Sequence, residues 1–166
     1  GPEGVQLLTD GTELAYTNDY IFRNEHHGDL LAPLDVVGFD THTVDLKNPI
    51  LIDEDNLKIT AYSVSHDPVE PALGYRIDYK GRSISISGDT TYDHNLVKNS
   101  KNVDVLFHES MSLEILDFIN QVAKSNNDFI ADTVTIDILD YHTPVMDVVK
   151  AANEANVKHL VFYHLC

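Results

Sequence analysis

The sequence is short of cysteine and of positive charge, and it contains no tryptophan. Its one cysteine, Cys166, has no partner for an intrachain disulfide, so packing and hydrogen bonds must hold the fold. That suits a cytosolic setting. Against 27 acidic residues stand 11 Lys and Arg, scattered singly, for a formal net charge of −16. A chain without a local basic cluster repels nucleic-acid backbones and anionic membranes. No apolar run reaches transmembrane length, so no membrane partner is expected. Repeats and low-complexity tracts are also missing.

What remains is ordinary globular material: 166 residues, 43% of them hydrophobic, enough for one domain with a real core. The stretch that organises it is Ser83 to Thr91. Ile84 and Ile86 alternate with serines as a β-strand does, and the strand stops at Gly88-Asp89. Gly88 allows a turn without a Cβ clash, leaving Asp89 at the carboxyl end of the strand, where α/β proteins bind ligands. The plainer reading of Asp89 is a cap for the helix expected over Tyr92 to Val97.

Along the chain, Asp19 to Asn24 reads as a short helix closed by Glu25-His26-His27-Gly28-Asp29. Adjacent histidines point different ways on either secondary structure, so His26-His27 reads as a solvated helix end. Leu30 to Gly38 reads as an irregular connection. Short strands are expected over Thr41 to Leu46, Ile50 to Ile52 and Leu57 to Val64, with Asp53 to Asn56 a turn. Leu73 to Tyr79 and Ser83 to Ser87 form a hairpin about Lys80-Gly81. Val103 to Phe107 is a buried strand delivering His108-Glu109-Ser110. Leu113, Ile115, Leu116, Ile119 and Val122 follow with helical spacing, and Phe129 to Leu139 reads as helix or loop. Thr143 caps the last helix, Pro144 takes its first position, and Val145, Val148, Val149, Ala152 and Ala155 form its buried stripe. Val157 to Tyr163 is the final strand. Strands alternating with helices in the second half, and hairpins in the first, indicate an α/β layered domain.

Four strand ends or strand-to-helix junctions carry a metal- or proton-competent residue: His66, Asp89, His142 and His164. They are far apart in sequence, which rules out a finger-type zinc site and suits one assembled from separate strand tips. Two imidazoles and a carboxylate make a typical catalytic zinc set. His108-Glu109 is a further pair at such a tip. The plainer reading of His142 is a helix-end residue bonded to backbone.

Ser65-His66-Asp67-Pro68, Ala72 to Ile77, Gly81-Arg82-Ser83, Ser87-Gly88-Asp89-Thr90-Thr91, Phe107-His108-Glu109, His142-Thr143-Pro144 and Tyr163-His164-Leu165, in this order, resemble the metallo-β-lactamase superfamily, and within it the ribonuclease Z-like branch. The resemblance covers residues 57 to 166, and Gly1-Pro2-Glu3-Gly4 resembles a loop found mid-chain in these enzymes. It implies an α+β fold of αββα layers, chiefly the carboxyl-terminal half: a mixed sheet with helices on its outer face. Residues 1 to 56 supply connecting helices and short strands of the same single domain, 1 to 166. It also implies a zinc-dependent hydrolase that attacks a phosphodiester or related ester with a metal-bound hydroxide. His66 corresponds to a ligand of one zinc, Asp89 to the carboxylate bridging two, His164 to a ligand of the second, and His142 to the histidine that helps a phosphate leave.

The family's His-x-His-x-Asp-His segment, which supplies about half of the ligands, does not occur in this sequence. The chain is therefore expected to be the carboxyl-terminal portion of a longer enzyme, with zinc weak or absent and no turnover alone. The alternatives are an inert half-domain that binds a partner or itself, and a complete mononuclear metalloenzyme using His66, Asp89 and His164. The acidic balance disfavours tRNA and favours a smaller ester. His66, Asp89 and His164 are expected to converge because each ends an adjacent strand of one sheet. A sheet face drawn from Val64, Leu73, Ile84, Ile86, Val105, Phe107 and Val161 would lie open, which points to a homodimer or to a missing amino-terminal half as partner.

Overall fold

The computed structural model describes Ile21, Asn24, Glu25, Gly28 and residues 44–166. The chain divides into two units, Gly1–Thr43 and Val44–Cys166. In the first, Ile21, Asn24 and Glu25 are helical. His26-His27, the Leu30 to Gly38 connection and Thr41 to Thr43 lie outside the described residues. The strand expected to run on to Leu46 does not form over Val44 to Leu46. Asp45 makes a turn there instead, its carboxylate accepting from Lys47 N at 2.9 Å and Asn48 Nδ2 at 2.9 Å. Such a local side-chain bond competes with strand pairing.

The second unit runs β1 (Ile50–Glu54), β2 (Leu57–Val64), β3 (Ala72–Tyr79), β4 (Arg82–Ile86), α1 (His94–Asn99), β5 (Val105–Ser110), α2 (Leu113–Ser125), α3 (Phe129–Asp137), a 3-10 turn (Ile138–Asp140), α4 (Val145–Ala155) and β6 (His159–Leu165). The strands form one sheet in sequence order, β1 through β6. The first four pair antiparallel, whereas β4, β5 and β6 are parallel. This is the mixed α+β sheet expected. Both tight hairpins turn through residue pairs at positive φ, Asp55-Asn56 (49° and 61°) and Lys80-Gly81 (47° and 76°), the geometry that two-residue turns require. Because β3 reverses the chain between them, β2 and β4 point the same way. Their carboxyl ends therefore share one sheet edge with those of β5 and β6.

Side chains directly opposite on paired strands share a face. The pairings Leu73 with Ser63, Tyr75 with Ile86, Ile86 with Phe107 and Phe107 with Val161 put Leu73, Ile84, Ile86, Val105, Phe107 and Val161 on one face. Val64 falls on the other, where it is buried. The apolar face is half-buried rather than open, apart from Val161. The serine face of β4 is the one that helices cover: Ser85 and Ser87 are fully buried. Tyr62 shares that side, its hydroxyl 2.7 Å from Ser85 Oγ, which in turn accepts from Ser100 Oγ at 2.9 Å. Around this polar thread pack Val64, Leu96, Val103, Leu106 and Ala152. Gly74 stands across from Tyr62, where a Cβ would come within 2.4 Å of the ring.

Helix starts follow local chemistry. Asp93 caps α1 by accepting from Asn95 N and Leu96 N, so Asp89 is free of that duty. Asp128 caps α3 by accepting from Ala131 N, which settles Phe129 to Asp137 as helix. The last helix departs from expectation, for Pro144 occupies the cap and the helix begins at Val145. Thr143 does not cap it, because its buried hydroxyl donates to Thr90 O instead. Its buried residues are Val148, Ala151, Ala152 and Ala155, with Val145 exposed.

At the opposite sheet edge, Asp104 ties three strands. Its carboxylate accepts from Ser83 N at 2.8 Å and Lys158 Nζ at 2.6 Å, with Arg82 Nη1 at 3.4 Å. The Lys158 bond, then the Ser83 amide, hold its pKa down from 3.8 to about 2. A depressed carboxylate stabilises the fold above its unfolded pKa and loses that contribution as pH falls through the folded one. Asp104→Asn should therefore lower Tm by a constant amount from pH 7 to pH 5. The gap to the parent should then narrow between pH 3.8 and about 2 in thermal melts.

Candidate metal centre

The common carboxyl edge of β2, β4, β5 and β6 collects the chain's chemistry. His66 follows β2, Asp89 follows β4, and His164 lies near the end of β6. These are alternate strands of the sheet, not the adjacent ones expected, because β3 intervenes between β2 and β4 and β5 between β4 and β6. Asp89 and His164 come together, and His66 neighbours them only by way of His142. His164 Nε2 lies 3.5 Å from Asp89 Oδ2. The ring of His142, from the loop before α4, lies 5.7 Å from that of His66 and 5.7 Å from that of His164. Tyr141 flanks the group, its ring 5.1 Å from His66, with its hydroxyl on Asp137.

Backbone irregularities aim these side chains. Gly88 has φ of 65°, and a Cβ there would lie 2.3 Å from Leu73 O, so the turn that presents Asp89 is closed to other residues. In β6 the pairing passes from Glu109 with Tyr163 to Ser110 with Leu165, leaving His164 as an extra residue. It sits at a φ of 45°. A bulge of this kind re-aims a side chain at a strand end, and here it turns His164 into the mouth.

Glu109 is the residue whose part the sequence did not disclose. Strand alternation separates it from His108, which lies on the face of Leu106. Burial holds the His108 imidazole neutral, and its Nδ1 is 2.6 Å from Glu109 O. The Glu109 side chain is fully buried, and its Oε1 accepts from Thr90 N at 3.2 Å and Thr143 N at 2.9 Å. One carboxylate thus clamps the loop carrying Asp89 to the loop carrying His142. Its other oxygen stands 3.3 Å from His142 Nδ1, at ion-pair distance but out of hydrogen-bond line. Desolvation raises the Glu109 pKa to about 7, against the lowering effect of the two amides. Desolvation lowers that of His142, so its imidazole is held neutral.

The donor set fits a cation. Neutral imidazoles and a carboxylate are what zinc takes, and His66 Nδ1 is buried with no hydrogen-bond partner. His66, Asp89 and His164 lie about this mouth with His142 beside them, and the donor atoms of His142, His164 and Cys166 all fall within 4.8 Å of one another. Removal of the clamp should be costly. Glu109→Ala strands two buried amides at about 1–3 kcal/mol each, so urea unfolding should show a loss of roughly 2–6 kcal/mol. Glu109→Gln keeps an acceptor oxygen and should lose less than half of that.

The family model for a beta-lactamase superfamily domain matches residues 8–165. Ribonuclease Z of Mycobacterium avium (strain 104) is 32% identical over 164 residues, covering 99% of this chain and 53% of its own length. Ribonuclease Z of Mycobacterium tuberculosis (strain H37Rv) is 30% identical, covering 99% and 54%. The chain thus spans about half the length of these curated relatives. Among solved structures, the short form of human tRNase Z aligns with a TM-score of 0.51 at 21% identity, over 74% of this chain and 41% of its own. The metallo-beta-lactamase fold protein YhfI of Bacillus subtilis aligns at 0.54 and 17% identity, over 78% and 45%. Fold and sequence agree: this chain belongs to the beta-lactamase superfamily, with a ribonuclease Z-like metallo-β-lactamase fold.

Proposed function

We propose that this chain carries part of the active site of a zinc-dependent hydrolase of ribonuclease Z or phosphodiesterase type, and that its ester substrate is small. The observation that carries the reading is the meeting of His66, Asp89, His142 and His164 at one sheet edge. His66, Asp89 and His164 would hold zinc, with Asp89 the carboxylate that a second ion would share. A bound zinc would supply Lewis-acid polarisation of a phosphoryl oxygen. Asp89 orients His164 across 3.5 Å. His142, buried and neutral, handles the proton at the leaving oxygen, with the Glu109 carboxylate 3.3 Å behind its Nδ1. The net charge of −16 favours a small phosphodiester over tRNA, and the lone cysteine suits a cytoplasmic setting.

A second reading, a self-associating module without turnover of its own, draws on two observations. The sequence holds no His-x-His-x-Asp-His segment, so a two-ion site lacks much of its ligand set. Phe118, Phe129, Ile130 and Met146 are also 66–79% exposed, together with much of α2 and α3. Apolar surface of that kind favours a homodimer or a complementing amino-terminal segment as partner.

One set of preparations tests both readings. Chelated and zinc-reloaded protein should retain at most one zinc per chain, less in Asp89→Ala and His66→Ala. It should sediment as a dimer and show no hydrolysis of bis(p-nitrophenyl) phosphate. Two tightly held ions with turnover lost in Asp89→Ala would establish an enzyme complete in itself. Unchanged zinc content in both variants would remove the site, and a monodisperse monomer at micromolar concentration would remove the self-association.

A further inference from the structure

The metal reading leaves Cys166 unused, yet its thiol sits in the same mouth. Cys166 Sγ lies 3.9 Å from His142 Nε2. One donor atom from each of His142, His164 and Cys166 falls within 4.8 Å of the other two. The Cys166 backbone is held from both sides: Cys166 N donates to Ser110 O at 3.0 Å, and Ser112 N donates to Cys166 O at 3.2 Å. The β6 bulge that turns His164 into the mouth thus lies two residues before a second donor.

We infer that Cys166 is a thiolate ligand to the cation at His164, with His142 as the third donor, forming a His-His-Cys site for zinc or another soft divalent metal. This rests on the proposed role of His164 as a metal ligand and extends it. The distances suit the chemistry. Sulfur and nitrogen donors on a tetrahedral zinc, at about 2.3 and 2.0 Å from the ion, stand roughly 3.5 Å apart. Closing 3.9 Å to that value needs only a small side-chain shift. His142 is also built as a ligand. Metal-bound histidines usually turn their other ring nitrogen to a carboxylate, and Glu109 Oε2 stands 3.3 Å from His142 Nδ1. With the proton on Nδ1, the Nε2 lone pair faces the thiol. On metal binding the S–H proton leaves to solvent and the thiolate takes its place on the ion.

The inference has a functional consequence. His142 Nε2 cannot both bind the cation and pass a proton to a leaving group. In the chain by itself, the metal-loaded mouth is then a binding site in which His142 is engaged, which accords with the module reading above.

Cobalt(II) is the direct probe, because a bound thiolate adds a near-ultraviolet charge-transfer absorption to the visible bands of the ion. Titration of the apo-chain with cobalt should give that absorption at the strength of one thiolate. Cys166→Ser should lose it while keeping visible cobalt bands and the parent's circular dichroism. As a second readout, zinc should slow the reaction of the single thiol with Ellman's reagent at least tenfold. Visible cobalt bands without the charge-transfer absorption, or a thiol rate unmoved by zinc, would overturn the thiolate assignment and leave the metal reading standing. No bound cobalt in the parent chain would overturn both.

Discussion

The site depends on one buried carboxylate. Glu109 joins the backbone of Thr90 to that of Thr143, and so fixes the Asp89 loop relative to the His142 loop. Among the described residues, the Thr143 hydroxyl bonded to Thr90 O is the other hydrogen bond across that gap. Burying a carboxylate is costly, and here two amide donors offset only part of the cost, since its pKa remains raised to about 7. A buried carboxylate held at a sheet edge rich in imidazoles supports the proposed site as well as the fold.

The sheet topology explains why the donors are few and well separated. Only the carboxyl ends of β2, β4, β5 and β6 reach this edge, because β1 and β3 run the other way. Each contributing strand then needs a device to turn a side chain into the mouth. For Asp89 it is a glycine turn that leaves no room for a Cβ, and for His164 a bulge with its residue at positive φ. The serine face of β4 serves the same end from below. Small side chains let the helices approach, with Tyr62 bonded across Ser85 filling the space.

Much of this could be read from the chain. Period-two runs ending in Gly88-Asp89 or in histidine mark strand tips, and strand ends within a residue or two were legible for β2, β3 and β4. What failed were features set by tertiary competition. Thr143 and Pro144 look like a cap and first turn, but the Thr143 hydroxyl finds Thr90 O and leaves the cap to proline. Val64 looks like a neighbour of the β4 isoleucines, whereas it lies on the opposite, serine face that helices cover. Glu109 was visible only as half of a His-Glu pair. Its function as a clamp depends on a strand alternation that sends His108 to the opposite face, and on two amides 19 and 34 residues away. Cys166 carried no signal beyond being alone, and only the folded chain places it 3.9 Å from His142.

The central claim is that alternate strands of one sheet deliver His66, Asp89 and His164, with His142 and Cys166, to a single cation-binding mouth. Anomalous diffraction at the zinc edge, from crystals of the chain grown with zinc, tests it most directly. The account predicts an anomalous peak within bonding distance of His164 and of at least one more of these residues, at the carboxyl edge of β6. Zinc peaks confined to surface histidines such as His94 or His159, with that mouth free of anomalous density, would contradict it.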